Sequence, residues 1–467
     1  MTESIDKSNQ EPLPISLPTA SSLTAKPTAE YDLTSTISKF LDLHMLFPLL
    51  EFIEDNKLYE ASHVQQARLD LLAPTNMVDY AVEIHKALHK TEENPEAMVK
   101  RRKEVLEKMG ELQNDAQRAI EILEDVELVD KLKSEDRFTP TYLQDEYQVG
   151  PQSLDAYYLH AKFQYECGDY GAARSALANY LALTQSTTSE RGFNALWGKF
   201  ASEILLENWE GALVEMNNVK QAIEERTAPA LQQLQQRSWL LHWSLFVFFT
   251  HPRGRDMIID LFFEEKYMQA LQTNCPWLLR YLTTAIIVNK RGRAALKDLV
   301  WVVQHEAHSY QDPITKFLEC LYVHFDFDRA QIELRECEKV LVSDFFLCNI
   351  ATEFMETARL FIFETYCRIH QKIDLGMLSK ELAMERADAE KWIVDLIRGA
   401  LLDAKISSED SVVVMGGVNQ NVYQQVIDKT KDLMMRSYVL TNNLEKLILE
   451  EQPVDYAQPG SPGRQQY

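Results

Sequence analysis

Glycine is scarce in this sequence. It supplies 15 of 467 residues, roughly 3% where about 7% is usual, and parallel α/β enzymes need glycine for phosphate loops and tight turns. The sequence contains no GxxxxGK[ST] loop, no GxSxG elbow and no Gly-rich dinucleotide turn, so the nucleotide-binding and hydrolase classes that depend on them are disfavoured. Positive charge is also short, with 48 Lys and Arg against 71 Asp and Glu and a net charge of −23. Such a surface repels phosphate backbones at long range. The six cysteines (Cys167, Cys275, Cys320, Cys337, Cys348, Cys367) are widely spaced without a CxxC pair, and read as reduced, mostly buried thiols. The longest apolar run, Trp239 to Thr250, has 12 residues and includes His242. That is short of the roughly 20 needed to span a bilayer, so a buried helix is expected there and no membrane contact. The first 30 residues carry Glu3, Asp6 and Glu11, no arginine and no apolar segment of signal-peptide length, which points to a cytoplasmic protein.

What the sequence does have is helical periodicity. Between two tails, apolar residues recur every three to four positions and alternating β patterns are nearly absent, which predicts an all-α body. Residues 1–30, with Pro12, Pro14, Pro18 and Pro27 among nine serines and threonines, and residues 451–467, rich in proline and glycine, are expected to be disordered. From Val105 the series Met109, Leu112, Ala116, Ala119, Leu123, Val126 steps by four and three, as one stripe of a packed helix does.

Two stretches are alike at an offset of 39. Ala156, Tyr158, Tyr165, Tyr170, Ala173 and Leu177 match Ala195, Trp197, Ile204, Trp209, Ala212 and Met216. Each has a helix that ends at a polar turn (Cys167-Gly168-Asp169, then Leu206-Glu207-Asn208) before the next helix opens on an aromatic residue. Further helix pairs run through Trp239, Trp277 and Trp301, and together these predict a tetratricopeptide-like solenoid.

A different pattern follows. Arg359 to Ile369 reads as a helix with the stripe Phe361, Ile362, Thr365, Ile369; a short helix follows near Met377, Leu378 and Leu382, and a third begins near Asp388. Leu402 to Ser407 and Ser411 to Met415 are short β-branched runs joined by a polar turn. Three helices and a hairpin make a winged helix. Between Asp374 and Asp410, five cations face nine acids, the wrong sign for phosphate recognition, so protein contact and weak or no binding of nucleic acid by the chain alone are expected. The wing strand, Ser411, Val412, Val413 and Val414, is expected to offer an open edge to a partner. Val426, Leu433, Leu440 and Leu447 then recur at steps of seven, with Tyr423, Thr430, Ser437 and Leu444 on the adjoining row. This predicts a long C-terminal helix that is either a seam for partner helices or folded back on its own domain.

Candidate chemistry is thin. In His305-Glu306-Ala307-His308 the histidines stand three apart, whereas a zincin helix needs four; no metal, cofactor or catalytic residue is expected, and the chain reads as no enzyme. Basic clusters lie at Lys100-Arg101-Arg102-Lys103, where a nuclear-import signal and a solvated helix face are both open, at Arg253 and Arg255, and at Lys290, Arg291 and Arg293. The last five are the candidates for RNA or ribosome contact.

Helical pairs, a winged helix and a long final helix resemble the PCI family, named for the proteasome lid, the COP9 signalosome and initiation factor 3. Longer runs narrow the resemblance: Tyr31-Asp32-Leu33-Thr34, Phe40-Leu41-Asp42, Phe47-Pro48-Leu49-Leu50-Glu51-Phe52, Ala161 to Gly168, His242 to Phe249, Arg280 to Ala285 and Leu402 to Ile406. These are similar to the e-subunit family of eukaryotic translation initiation factor 3. The resemblance implies a scaffold in 43S preinitiation complex assembly and mRNA recruitment, with other PCI and MPN subunits and the 40S ribosomal subunit as partners; a PCI scaffold of the proteasome lid or signalosome is the alternative. The expected division is a 1–30 extension, 31–225 helical repeats, a 226–417 PCI domain with its winged helix from about 356, a 418–450 assembly helix and a 451–467 tail.

Overall fold

The structure, a computed structural model, describes residues 31–90, 95–135, 137–184, 189–289, 295–370, 372–374, 391, 394, 404–407, 412–415 and 422–450. Both tails expected to be disordered, and the two later helices of the winged helix apart from single positions, lie outside the described residues. Contacts divide the chain into two units, Met1–Tyr366 and Cys367–Tyr467.

The first unit is a succession of antiparallel helix pairs. Pro151–Cys167 packs on Tyr170–Thr184, which packs on Glu190–Leu205, which packs on Trp209–Glu225. Local chemistry sets these boundaries. Proline opens the Pro151–Cys167 helix, where its missing N–H costs nothing, while Ser189 and Asn208 cap the two helices that follow them through side-chain oxygens. The offset of 39 extends to the backbone. Gly168 (φ 93°) and Glu207 (φ 56°) both adopt the left-handed conformation. Their N–H groups donate to Tyr165 O and Ile204 O, and the next residues, Asp169 and Asn208, donate to Gln164 O and Glu203 O, all at 3.0 Å. One helix-terminating turn is thus built twice. Ala173, Ala195 and Ala212 are fully buried at the crossings, where small side chains let helices approach.

The stripe that begins at Val105 lies on the helix Glu96–Leu123, against Pro151–Cys167. Ala116, Ala119 and Leu123 are buried and Met109 and Leu112 half-buried. The stripe does not continue to Val126 in the same helix, because Asp125 accepts from the N–H groups of Glu127 and Leu128 and starts a new one, Val126–Ser134.

The core of the first unit falls into several apolar clusters, the most extensive reaching from Ile37 to Ile362, with others built by Ala119 to Ala195 and by Leu46 to Leu71. The centre of the most extensive is the helix Ala230–Thr250, in which Leu240, Leu241, Leu245 and Val247 have no exposure; this is the predicted buried helix. The segment 31–45 crosses several helix pairs as a strap. Trp243 Nε1 donates to Phe40 O (3.0 Å), the Phe40 ring stacks on His242 (4.4 Å, 3°), Tyr165 OH donates to Asp42 (2.9 Å), and Tyr59 OH donates to Asp32 (3.0 Å). The helix expected over Arg359 to Ile369 starts earlier, as Ala351–Ile369. Phe361, Ile362 and Thr365 are buried as predicted, whereas Ile369 is exposed.

In the second unit three strands form an antiparallel sheet of order β1-β3-β2, with β1 Lys372–Asp374, β2 Ala404–Ser407 and β3 Val412–Met415. Val413 pairs with Ile373 on one side and Ile406 on the other and is fully buried. The expectation of an open edge on this strand is therefore corrected. The three residues Lys372-Ile373-Asp374 are too short a run to signal a strand by periodicity, and they occupy the side of β3 expected to be open. Among the described residues the outer strands of the sheet are β1 and β2. Ser411 lies outside the described residues. The last described element is the helix Val422–Glu450.

Candidate assembly interface

The helix Val422–Glu450 contains neither proline nor glycine across 29 residues, so nothing interrupts its hydrogen-bond ladder. Its polar hydroxyls turn inward on the backbone: Thr430 Oγ1 donates to Val426 O (2.6 Å) and Thr441 Oγ1 to Ser437 O (2.8 Å). Val426 is 57% exposed, Leu433 62% and Leu440 61%. The Leu447 side chain lies outside the described residues. The exposed apolar surface is wider than the predicted seam, for Ile427, Met434, Met435, Tyr438 and Val439 are exposed as well. At about 100° per residue these positions cover well over half the circumference, leaving Lys429, Asp432 and Arg436 as a polar strip. A helix apolar on most of its faces is a helix made to be surrounded.

The basic candidates separate when placed. Arg255 Nη1 pairs with Glu353 (2.7 Å), so its charge is engaged within the fold, while Arg253 is exposed. Lys290, Arg291 and Arg293 lie outside the described residues. In the cluster read as a possible import signal, Arg101 donates to the carbonyls of Ala73 and Thr75 just past the helix Ala61–Leu72, and Arg102 pairs with Asp79 at 2.9 Å. Lys100 and Lys103 lie within 4 Å of Glu104 and Glu107. Arg101 and Arg102 are tied into the fold, whereas Lys100 and Lys103 pair with glutamates of their own helix and stay exposed. His305 stacks on Trp301, and His308 Nδ1 bonds to the His305 carbonyl (2.9 Å).

A cluster that sequence reasoning passed over organises the interior. Arg280 is 2% exposed, donates through Nε to Asp312 (2.8 Å) and through Nη1 to both Asp344 (3.1 Å) and the Tyr31 carbonyl (2.9 Å). Tyr281 OH donates to the same Asp344 oxygen (2.9 Å). Burial drives the Asp344 carboxyl up while Arg280 and the Tyr281 hydroxyl pull it back; the neighbouring carboxylates hold Arg280 firmly charged against its own burial. Nothing here is arranged around an open reacting centre; the ions hold three parts of the chain together. The signal was available, since Arg280 is the one charge in the wholly buried helix Leu279–Val288.

Sequence comparisons follow the same course. Residues 32–164 match the model of the eIF3 subunit 6 N terminal domain, residues 334–416 the PCI domain, and residues 421–441 the C-terminal domain of the E subunit of eukaryotic translation initiation factor 3. Proteins named as the E subunit of that factor are similar along nearly their whole length. The one from Arabidopsis thaliana is 46% identical over 426 residues, covering 89% of this chain and 96% of its own. The Bombyx mori protein is 44% identical over 427 residues (90% and 96%), and the Drosophila melanogaster protein 42% over 426 (91% and 97%). The helix with the exposed apolar surface overlaps the third matched domain, the strap lies in the first, and the chain belongs to the E-subunit family of eukaryotic translation initiation factor 3.

Proposed function

We propose that this chain is a scaffold component of eukaryotic translation initiation factor 3 that works by holding other subunits, without catalysis of its own. The observation that carries the reading is the exposed apolar surface of Val422–Glu450, too broad for a single partner helix and suited to a bundle. The same reading assigns the 31–225 repeats and the 226–417 PCI domain to the supporting body, and 418–450 to assembly. Other PCI and MPN subunits are the partners, and the assembled factor joins the 40S ribosomal subunit in the cytoplasm to support 43S assembly and mRNA recruitment. In the winged helix, the outer strands flanking Val412, Val413 and Val414 supply the edges for protein contact. Arg253, with Lys290, Arg291 and Arg293, is kept as the candidate ribosome or RNA contact; Arg255 is bound to Glu353. The relatives' shared name favours this assembly over the proteasome lid or the signalosome. Purifying the tagged chain from its own cells and identifying what accompanies it tests the proposal. Recovery of initiation factor 3 subunits and 40S proteins is expected, and recovery of proteasome-lid or signalosome subunits in their place overturns it.

A further inference from the structure

A cleft of about 250 Å³ opens in the first unit where the strap meets the repeats, with walls formed chiefly by Asp42, Tyr158, Lys162, Tyr165, Trp197 and Trp243. It is large enough to admit one long side chain. Asp42 is fixed in it. Its Oδ1 accepts from Tyr165 OH (2.9 Å) and from the N–H of His44 (3.0 Å), and its Oδ2 has no partner among the described residues. The aromatic rings are fixed too, Trp197 and Trp243 meeting edge to face at 4.7 Å. Lys162 is by contrast 60% exposed and lies 3.9 Å from Glu166, one turn on in its own helix. The immobile charge of the cleft is therefore negative, and the cleft is lined by the aromatic side chains of Tyr158, Tyr165, Trp197 and Trp243.

We infer that this cleft binds an arginine side chain presented by an extended segment of a partner protein. A guanidinium is planar, stacks on aromatic faces and donates to a carboxylate in the same pose. An apolar side chain would bury the spare Asp42 oxygen without a donor, and an acidic one would meet Asp42 as like charge. The cleft lies wholly within the first unit, and the inference stands whichever assembly the chain joins.

The test titrates the full chain with the capped peptide Gly-Gly-Arg-Gly-Gly, following tryptophan emission and heat of binding, beside peptides carrying citrulline or glutamate at the centre. Saturable binding of the arginine peptide is expected, with the isosteric but uncharged citrulline peptide about tenfold weaker or worse. Lys162→Ala should tighten arginine binding by removing the competing cation, and Asp42→Asn should weaken it about tenfold. Because Asp42 also holds the strap, Asn194→Trp, an exposed position on the rim, provides a second variant that obstructs the cleft from outside the core. Equal binding of arginine and citrulline, unchanged binding in Asn194→Trp, or no saturable binding overturns the inference. Preference for the glutamate peptide, lost in Lys162→Ala, would make the cleft an anion site and overturn it as well.

Discussion

Arg280 and Asp344 stand 64 positions apart in the chain and 3.1 Å apart in the fold, with side chains 2% and 5% exposed. Asp312 completes the set from a third segment. Ions buried this deeply hold only as a group, because each removed from water needs its partners. Replacing Arg280 by methionine keeps much of the volume but leaves two buried carboxylates uncompensated and frees the Tyr31 carbonyl. A loss of about 3–5 kcal/mol is expected, read as an earlier midpoint in urea unfolding. Arg280→Lys should recover only part of it, since an ammonium cannot reproduce the fork.

His242 supplies a pH dependence. It is buried between the Phe40 ring and Trp277, its Nδ1–H donates to Ser238 O (2.7 Å), and its Nε2 accepts from Trp277 Nε1 (3.1 Å). Burial pulls its pKa down from 6.5 to about 4. Below pH 6.5 the unfolded chain takes up a proton that the folded chain refuses, so stability falls as pH drops to about 4 and this contribution then levels off. The loss amounts to about 3 kcal/mol. Melting curves through this window should show a shallower pH slope in His242→Gln; an unchanged slope would exclude His242 as its source.

The paired left-handed turns predict opposite signs for two substitutions. Gly168→Ala places a Cβ at φ 93° and 3.0 Å from Met77 Cε, and should cost roughly 1–2 kcal/mol. Glu207→Gly relaxes the corresponding residue 39 positions on and should stabilise by up to about 1 kcal/mol. Thermal melts of the two variants decide whether the turns are equivalent energetically as well as in geometry.

On the C-terminal helix, Leu433→Asp with Leu440→Asp removes two residues that would each contribute about 1.5–3 kcal/mol on full burial, part of it offset by association entropy. Partners should be lost in a pull-down while the melt of the purified chain stays within a few degrees. Retained partners would show that this row is not the seam.

Val413→Pro bears on the sheet. Because β3 is hydrogen-bonded on both sides, proline there should break the sheet itself, and hydrogen exchange should accelerate at the β3-facing amides of both β1 and β2. Had Val413 stood on an open edge, a single ladder would have changed.

The periodic parts of this fold were open to reading from sequence: the helix pairs, the hairpin strands and the sevenfold row of the last helix all repeat over enough residues to be seen. The parts that escaped are those made by single residues at long range. Lys372–Asp374 becomes a strand only because β3 needs a second neighbour. Arg280 finds its partners at positions 31, 312 and 344, and no spacing rule connects these. The breadth of the exposed surface beyond Val426, Leu433 and Leu440 was missed for another reason. A heptad count records only the seam, and methionine and tyrosine at 434, 435 and 438 fall between its rows.

The strap has a consequence for how the molecule comes apart. A stack of helix pairs in which each touches only its neighbours behaves as a one-dimensional array, free to fray from either end and to melt in stages. Segment 31–45 bypasses that order: it is bonded at Tyr165, at Trp243 and, through Tyr31, at Arg280, so opening any one of these layers strains contacts to the others. Cross-linked in this way, the first unit should unfold in a single cooperative step, and cutting the chain after Met45 should turn that step into a succession.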